Sequence, residues 1–120
     1  MKIVIDLDGT ICEIKVPGQS YEDVLPLPGA AAKIAEMRAQ GHYVIIQTAR
    51  NMATCESNLG KVMKNIGLVT LEWLQKNSIE YDEIYFGKPN AHVYIDDRAF
   101  RYEGWEQITP CALEKSAGER

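Results

Sequence analysis

The 120-residue chain holds only three cysteines, five prolines and two histidines. Cys12, Cys55 and Cys111 are odd in number and form no C-x-x-C pair, which excludes a disulfide framework and a structural zinc ribbon. They read as free thiols of a reducing compartment, so a cytoplasmic location is expected. His42 and His92 stand singly, so each reads as a structural or surface residue, and no soft-ligand metal cage is offered. No apolar run approaches membrane-spanning length, and the one after Lys2 meets Asp6 at once, too soon for a signal peptide. With 13 basic against 17 acidic residues and a net charge of -4, no Lys/Arg cluster supplies the electrostatic footprint of a nucleic-acid binder. There is no repeat, low-complexity tract or convincing linker. The remaining composition, 46% apolar and 25% charged, suits one layered core. A single domain over residues 1–120 is the expectation.

Against these absences the N-terminus is dense with information. Ile3, Val4 and Ile5 form a β-branched run, which is how a strand buried on both faces reads. It runs into Asp6-Leu7-Asp8-Gly9-Thr10. Open α/β sheets place ligands at the carboxyl ends of their strands. Gly9 permits a turn there and lets backbone N–H groups approach an anion. Two carboxylates this close cost energy unless a cation or a proton separates them. The motif therefore implies a bound metal or one strongly perturbed acid.

Residues 10–28, with Pro17-Gly18, Pro26 and Pro28, form no regular helix and read as a candidate flap or a plain surface loop. Pro28 opens a helix over 29–40, closed by Gly41, with Ala31, Ile34, Ala35 and Arg38 on one face. Tyr43 to Gln47 is a second strand. Leu59, Val62, Ile66, Val69 and Trp73 make a helical apolar stripe, in which Gly67 marks a bend or break. Glu83 to Phe86 and His92 to Ile95 read as further strands, Trp105 to Thr109 as a fifth, and 110–120 as a flexible tail. The fold class is therefore α/β: a Rossmann-like parallel sheet of about five strands, helices on both faces, three layers α/β/α, and no large cap domain.

In such a sheet the strand ends meet at one edge. Asp6 and Asp8, Thr48, Lys88, and Asp96 with Asp97 would gather there. Three carboxylates form a hard-oxygen cage suited to Mg²⁺. Lys88 is either their ion-pair partner or, with Mg²⁺, a holder of phosphoryl oxygens. Thr48 is either the N-cap of the next helix or a donor to phosphoryl. Arg50 and Asn51 beside Thr48, and Asn90 beyond Lys88, are candidate substrate contacts or else supports behind the residues that touch substrate; Gly9 and Thr10 are candidate substrate contacts too. Cys12 is close enough to the site for thiol modification to inhibit, or is an inert small residue.

The order Asp6-Leu7-Asp8-Gly9-Thr10, Thr48, Lys88, Asp96-Asp97 resembles the four motifs of the haloacid dehalogenase (HAD) superfamily of phosphatases and phosphotransferases, over residues 1 to about 100. The stretches 47–52 and 85–91 are similar to a subgroup of capsule-biosynthesis phosphatases. The resemblance implies that Asp6 is the nucleophile of an aspartyl-phosphate mechanism and Asp8 the general acid and base. It implies that Thr48 and Lys88 hold the phosphoryl group. Mg²⁺ would bind Asp6, the Asp8 carbonyl and Asp96, with Asp97 either joining through water or orienting Lys88. The expected activity is Mg²⁺-dependent hydrolysis of a small phosphorylated metabolite, such as a sugar phosphate of polysaccharide biosynthesis. The chain reads as capless or minimally capped, so a second copy of the chain supplies a lid, the substrate is large, or the enzyme is promiscuous. A nucleic-acid 3′-phosphatase would use the same motifs, although the acidic charge counts against it. A receiver-like phospho-acceptor domain is the alternative from another class. Its acceptor, however, ends a later strand, where this chain has Ala53, expected in the helix after Thr48.

Overall fold

The computed structural model describes residues 1–118. They fall into two compact units, Met1–Asn90 and a second from Ala91 onward. The first unit carries β1 (Lys2–Asp6), α1 (Ala30–Ala39), β2 (Tyr43–Thr48), α2 (Leu59–Val62), α3 (Leu68–Lys76) and β3 (Glu83–Phe86). The three strands form one parallel sheet in the order β1-β2-β3, with Val4 opposite Ile45, Asp6 opposite Gln47 and Thr48 opposite Phe86.

The strand ends therefore line up at one edge, but the expected five-strand sheet is not formed: among the described residues there are three strands. Nor is β1 buried on both faces. Ile5, Val44, Ile46 and Thr48 alternate inward, while Val4 is 56% exposed and Tyr43 and Tyr85 are exposed too. Topology accounts for this. Two right-handed crossovers stepping the same way along a sheet lay both helical connections over the same face. One covered and one open face give alternation rather than continuous burial.

In α1, Gly29 takes the cap position with a positive φ of 87°. The buried residues are Ala30, Ile34 and Met37, spaced four and three apart. Arg38, expected on the same face as Ile34, instead reaches outward to Asp82 at 2.9 Å and Glu80 at 3.4 Å.

At Gly67, where a bend or break was expected, the helical region stays continuous but irregular: a π-helical turn, Met63–Gly67, joins α2 to α3. The wider turn shifts the buried stripe. Val62, Ile66, Thr70 and Trp73 face inward, Leu59 is exposed and Val69 half-buried. Trp73 Nε1 donates to the Val24 carbonyl at 2.8 Å, which ties α3 to the 10–28 segment. That segment is pinned at its base. Glu13 N–H donates to the Leu25 carbonyl and Leu27 N–H to the Ile11 carbonyl, and Ile11, Cys12 and Val24 are buried.

The second unit departs furthest from expectation. Residues 92–95 are not a strand; Val93 is exposed and Ile95 is 97% exposed. A four-residue segment carries too little periodicity to separate strand from irregular chain. Trp105–Gln107 is a 3-10 turn that buries Trp105 and Ile108, three residues apart, a helical rather than a strand spacing. Residues 110–117, expected to be a loose tail, form α4 (Pro110–Ala117). Thr109 Oγ1 caps it by accepting from Ala112 N–H, and Pro110 occupies the first turn, where a missing N–H costs nothing. Residues 119–120 of the expected tail lie outside the described residues.

Candidate active site

Asp6 ends β1, and its carboxylate meets Lys88 beyond β3: Lys88 Nζ lies 3.2 Å from Asp6 Oδ1. Lys88 is placed by its own backbone, whose N–H donates to the Thr48 carbonyl at 3.1 Å and so extends the β2–β3 ladder past Phe86. Burial pushes the Asp6 carboxyl above its ordinary value. Lys88 pulls it back down, and the charge of Asp8 pushes it up again.

Asp8 sits in a tight turn. The N–H groups of Ile11 and Cys12 donate to the Leu7 carbonyl, and Gly9 has a φ of 87° that side-chain-bearing residues rarely adopt. The Gly9 N–H donates to the Cys12 carbonyl at 2.7 Å and the Thr10 N–H to the Leu7 carbonyl at 3.3 Å. The turn reading of Gly9 is thus met, but these two N–H groups close the turn instead of lying open for an anion.

Arg50, read as a substrate contact or a support for the site residues, turns inward as a support. Its side chain is fully buried, and its Nε and Nη2 reach Asp8 at 3.0–3.1 Å. Nη1 donates to Thr70 Oγ1 at 3.0 Å, and the guanidinium lies 4.2 Å from the centre of the Tyr21 ring. Thr48 caps no helix, since residues 50–57 are turns; its Oγ1 accepts from the Arg50 N–H at 3.1 Å. The Thr48 hydroxyl proton remains to be donated, which keeps it suited to a phosphoryl oxygen.

Asn51, near the start of this turn region, adopts a positive φ of 59° and meets Asn65 of the π-helical turn at 3.5 Å. Asn90 is exposed at the end of the first unit. Cys12 Sγ lies 3.4 Å from Asp8 Oδ1, and burial followed by the Asp8 charge pushes its thiol up to about 12. Buried and raised in this way, Cys12 fits the reading of an inert small residue.

Asp96 and Asp97 belong to the second unit and are exposed there; Asp96 Oδ1 accepts from the Arg98 N–H at 2.8 Å. Among the described residues no three His, Cys, Asp or Glu side chains are grouped to hold a metal ion. The donors of the first unit, the Asp6 carboxylate and the Asp8 carbonyl, are hard oxygens of the type Mg²⁺ takes. A cation would also relieve the raised Asp6 carboxyl.

Sequence reasoning missed Tyr21 and Thr70. Thr70 carried a usable signal, because a hydroxyl on an otherwise apolar helix stripe, between Ile66 and Trp73, needs a buried partner.

A protein from Vibrio cholerae, known by its crystal structure, is 35% identical to this chain; the match covers 96% of this chain and 94% of that one, with a TM-score of 0.86. The two chains belong to one family. The Pnkp1/Rnl/Hen1 complex matches at 24% identity and a TM-score of 0.51, over 78% of this chain and 30% of that one, a likeness of fold. A D,D-heptose 1,7-bisphosphate phosphatase from B. bronchiseptica, complexed with magnesium and phosphate, matches at 17% identity and a TM-score of 0.49, over 81% of this chain and 56% of that one. No family model and no curated protein matches the chain. Among the described residues no helix is long and apolar enough to cross a membrane.

Proposed function

We propose that this chain is a phosphomonoesterase of the HAD type, acting through an aspartyl-phosphate on Asp6. The observation that carries the reading is the pairing at one sheet edge. Two carboxylates two residues apart each face a different cation, Lys88 on Asp6 and Arg50 on Asp8, with the Thr48 hydroxyl beside them in sequence order. The four-motif resemblance supports the same reading.

In the proposed reaction an Asp6 carboxylate oxygen attacks phosphorus. The bond to the leaving oxygen breaks, and that oxygen takes a proton from Asp8. Asp8 then takes a proton from a water as it attacks the aspartyl-phosphate. Inorganic phosphate leaves and Asp6 is regenerated. Lys88 and Thr48 hold the phosphoryl oxygens, where charge develops. Mg²⁺, with the Asp6 carboxylate and the Asp8 carbonyl of the first unit among its ligands, would supply electrostatic stabilisation of the transferring group. The substrate is a small phosphorylated metabolite, such as a sugar phosphate of polysaccharide biosynthesis, contacted by Asn51 and Asn90. A second copy of the chain would close the open site.

The test is phosphate release from 4-nitrophenyl phosphate. Turnover is expected with Mg²⁺, and none with chelator or in Asp6→Asn. A wild-type protein that releases no phosphate from a broad panel, yet keeps one phosphoryl group after acetyl phosphate, would be a receiver-like domain instead.

A further inference from the structure

We propose that Arg50 is a positioning residue for Asp8, held in place by Tyr21 and Thr70, and that Asp8 Oδ2 is the oxygen that exchanges the proton with the leaving group. This rests on the phosphatase reading and adds to it a device that fixes the proton-transfer group.

All three guanidinium nitrogens are used. Nε meets both Asp8 oxygens, at 3.1 and 3.0 Å, Nη2 meets Oδ1 at 3.0 Å, and Nη1 donates to Thr70 Oγ1 at 3.0 Å. The Tyr21 ring closes one face of the guanidinium plane, 4.2 Å away. The Arg50 backbone is fixed as well, through its N–H on Thr48 Oγ1. Stability alone does not ask for this arrangement. A buried ion pair is often matched or bettered by apolar residues of the same volume, so a fully buried arginine points to a demand for geometry.

The contacts on Asp8 are uneven. Oδ1 receives Nε, Nη2 and the Cys12 thiol at 3.4 Å, whereas among the described residues Oδ2 receives Nε. An ionised carboxylate has about four lone-pair positions, so Oδ2 keeps capacity that Oδ1 has committed. The Asp8 side chain is still 26% exposed, which leaves it reachable from the solvent side. The fork thus holds Asp8 to one orientation while sparing the oxygen that must give and take a proton. A lysine at position 50 could bring the charge without the planar fork.

The test is kcat/KM over a series of aryl phosphates, from 2,4-dinitrophenyl to phenyl phosphate, with Mg²⁺. This parameter covers the steps up to departure of the leaving group, and only poor leaving groups need the proton. Arg50→Lys should lose about 10²-fold or more on phenyl phosphate, the usual scale of a general-acid contribution, and far less on 2,4-dinitrophenyl phosphate. Asp8→Asn should show the same steepened dependence, and adding Arg50→Lys to it should cost nothing further. Thr70→Val, which keeps Arg50, should steepen the series in the same direction by a smaller factor. It carries the test if Arg50→Lys does not fold. An equal loss across the series, or additive losses in the double variant, overturns the clamp. Absence of wild-type turnover on the whole series defeats the phosphatase reading and the clamp together, and so is distinguishable from failure of the clamp alone.

Discussion

Asp6 and Asp8 are two residues apart on one strand end, yet they meet their cations in opposite ways. Asp6 meets the Lys88 ammonium at 3.2 Å, and both side chains keep some exposure. Asp8 meets Arg50 through a fork whose cation has no exposure at all. The first is a point charge on a flexible stem, which can slide from a carboxylate onto an incoming phosphoryl group. The second is braced by a helix, a ring and a backbone turn, and cannot slide. The contrast suits the proposed roles: a nucleophile must change partners during the reaction, while a proton-transfer group must stay where the leaving oxygen arrives.

The sharpest way to break the comparison is Asp6→Asn. It should lower kcat by about 10⁴-fold or more, with the fold intact by circular dichroism. Lys88→Met comes next. It should lower kcat by about 10²-fold, the scale of one lost electrostatic contact to developing charge. Because this pair is partly exposed, thermal unfolding should show a loss within about 1 kcal/mol.

Arg50→Met should reverse that balance on the stability axis. Removing one partner of a buried pair costs several kcal/mol, and the partial exposure of Asp8 reduces this to about 2 kcal/mol, read by urea unfolding. Comparable stability losses in Lys88→Met and Arg50→Met would erase the distinction drawn here.

A pH comparison sharpens the Asp6 side. Its carboxyl lies above the ordinary range because of burial, so the fold favours the protonated form. That contribution is complete below the ordinary carboxylate value and is lost as pH rises through the raised one. In chelator, Asp6→Asn should therefore gain stability relative to wild type as pH rises from about 3 to 7, an amount fixed by unfolding at each pH. The smallest effect concerns the thiols. At pH 8 a maleimide should label exposed Cys111 in the native protein and leave Cys12, whose thiol is pushed up to about 12, unlabelled and turnover unchanged.

Much of the first unit was legible in the sequence because its signals are local. β-branched runs ending at Asp6 and Thr48, Gly41 after a helix, and the strand 83–86 all lie where they were expected. What escaped was direction. Arg50 follows Thr48 in the chain, and nothing in that adjacency says that its guanidinium turns inward to Asp8 instead of outward to substrate. That depends on Thr70, twenty residues on, and on a π-helical turn that rotates Thr70 onto the buried stripe. The second unit misled for a different reason. Short segments such as 92–95 and 105–109 carry no period long enough to tell strand from turn, and the polar composition of 110–120 hides the helix that Thr109 and Pro110 begin.

The most direct measurement traps the intermediate. Asp8→Asn protein mixed with 2,4-dinitrophenyl phosphate and Mg²⁺, quenched in acid and digested with trypsin, should carry one phosphoryl group on the peptide 3–15, placed by fragmentation on Asp6 and released by hydroxylamine. A phosphoryl group on another residue, or none during demonstrable turnover, would contradict the assignment of Asp6 as the nucleophile.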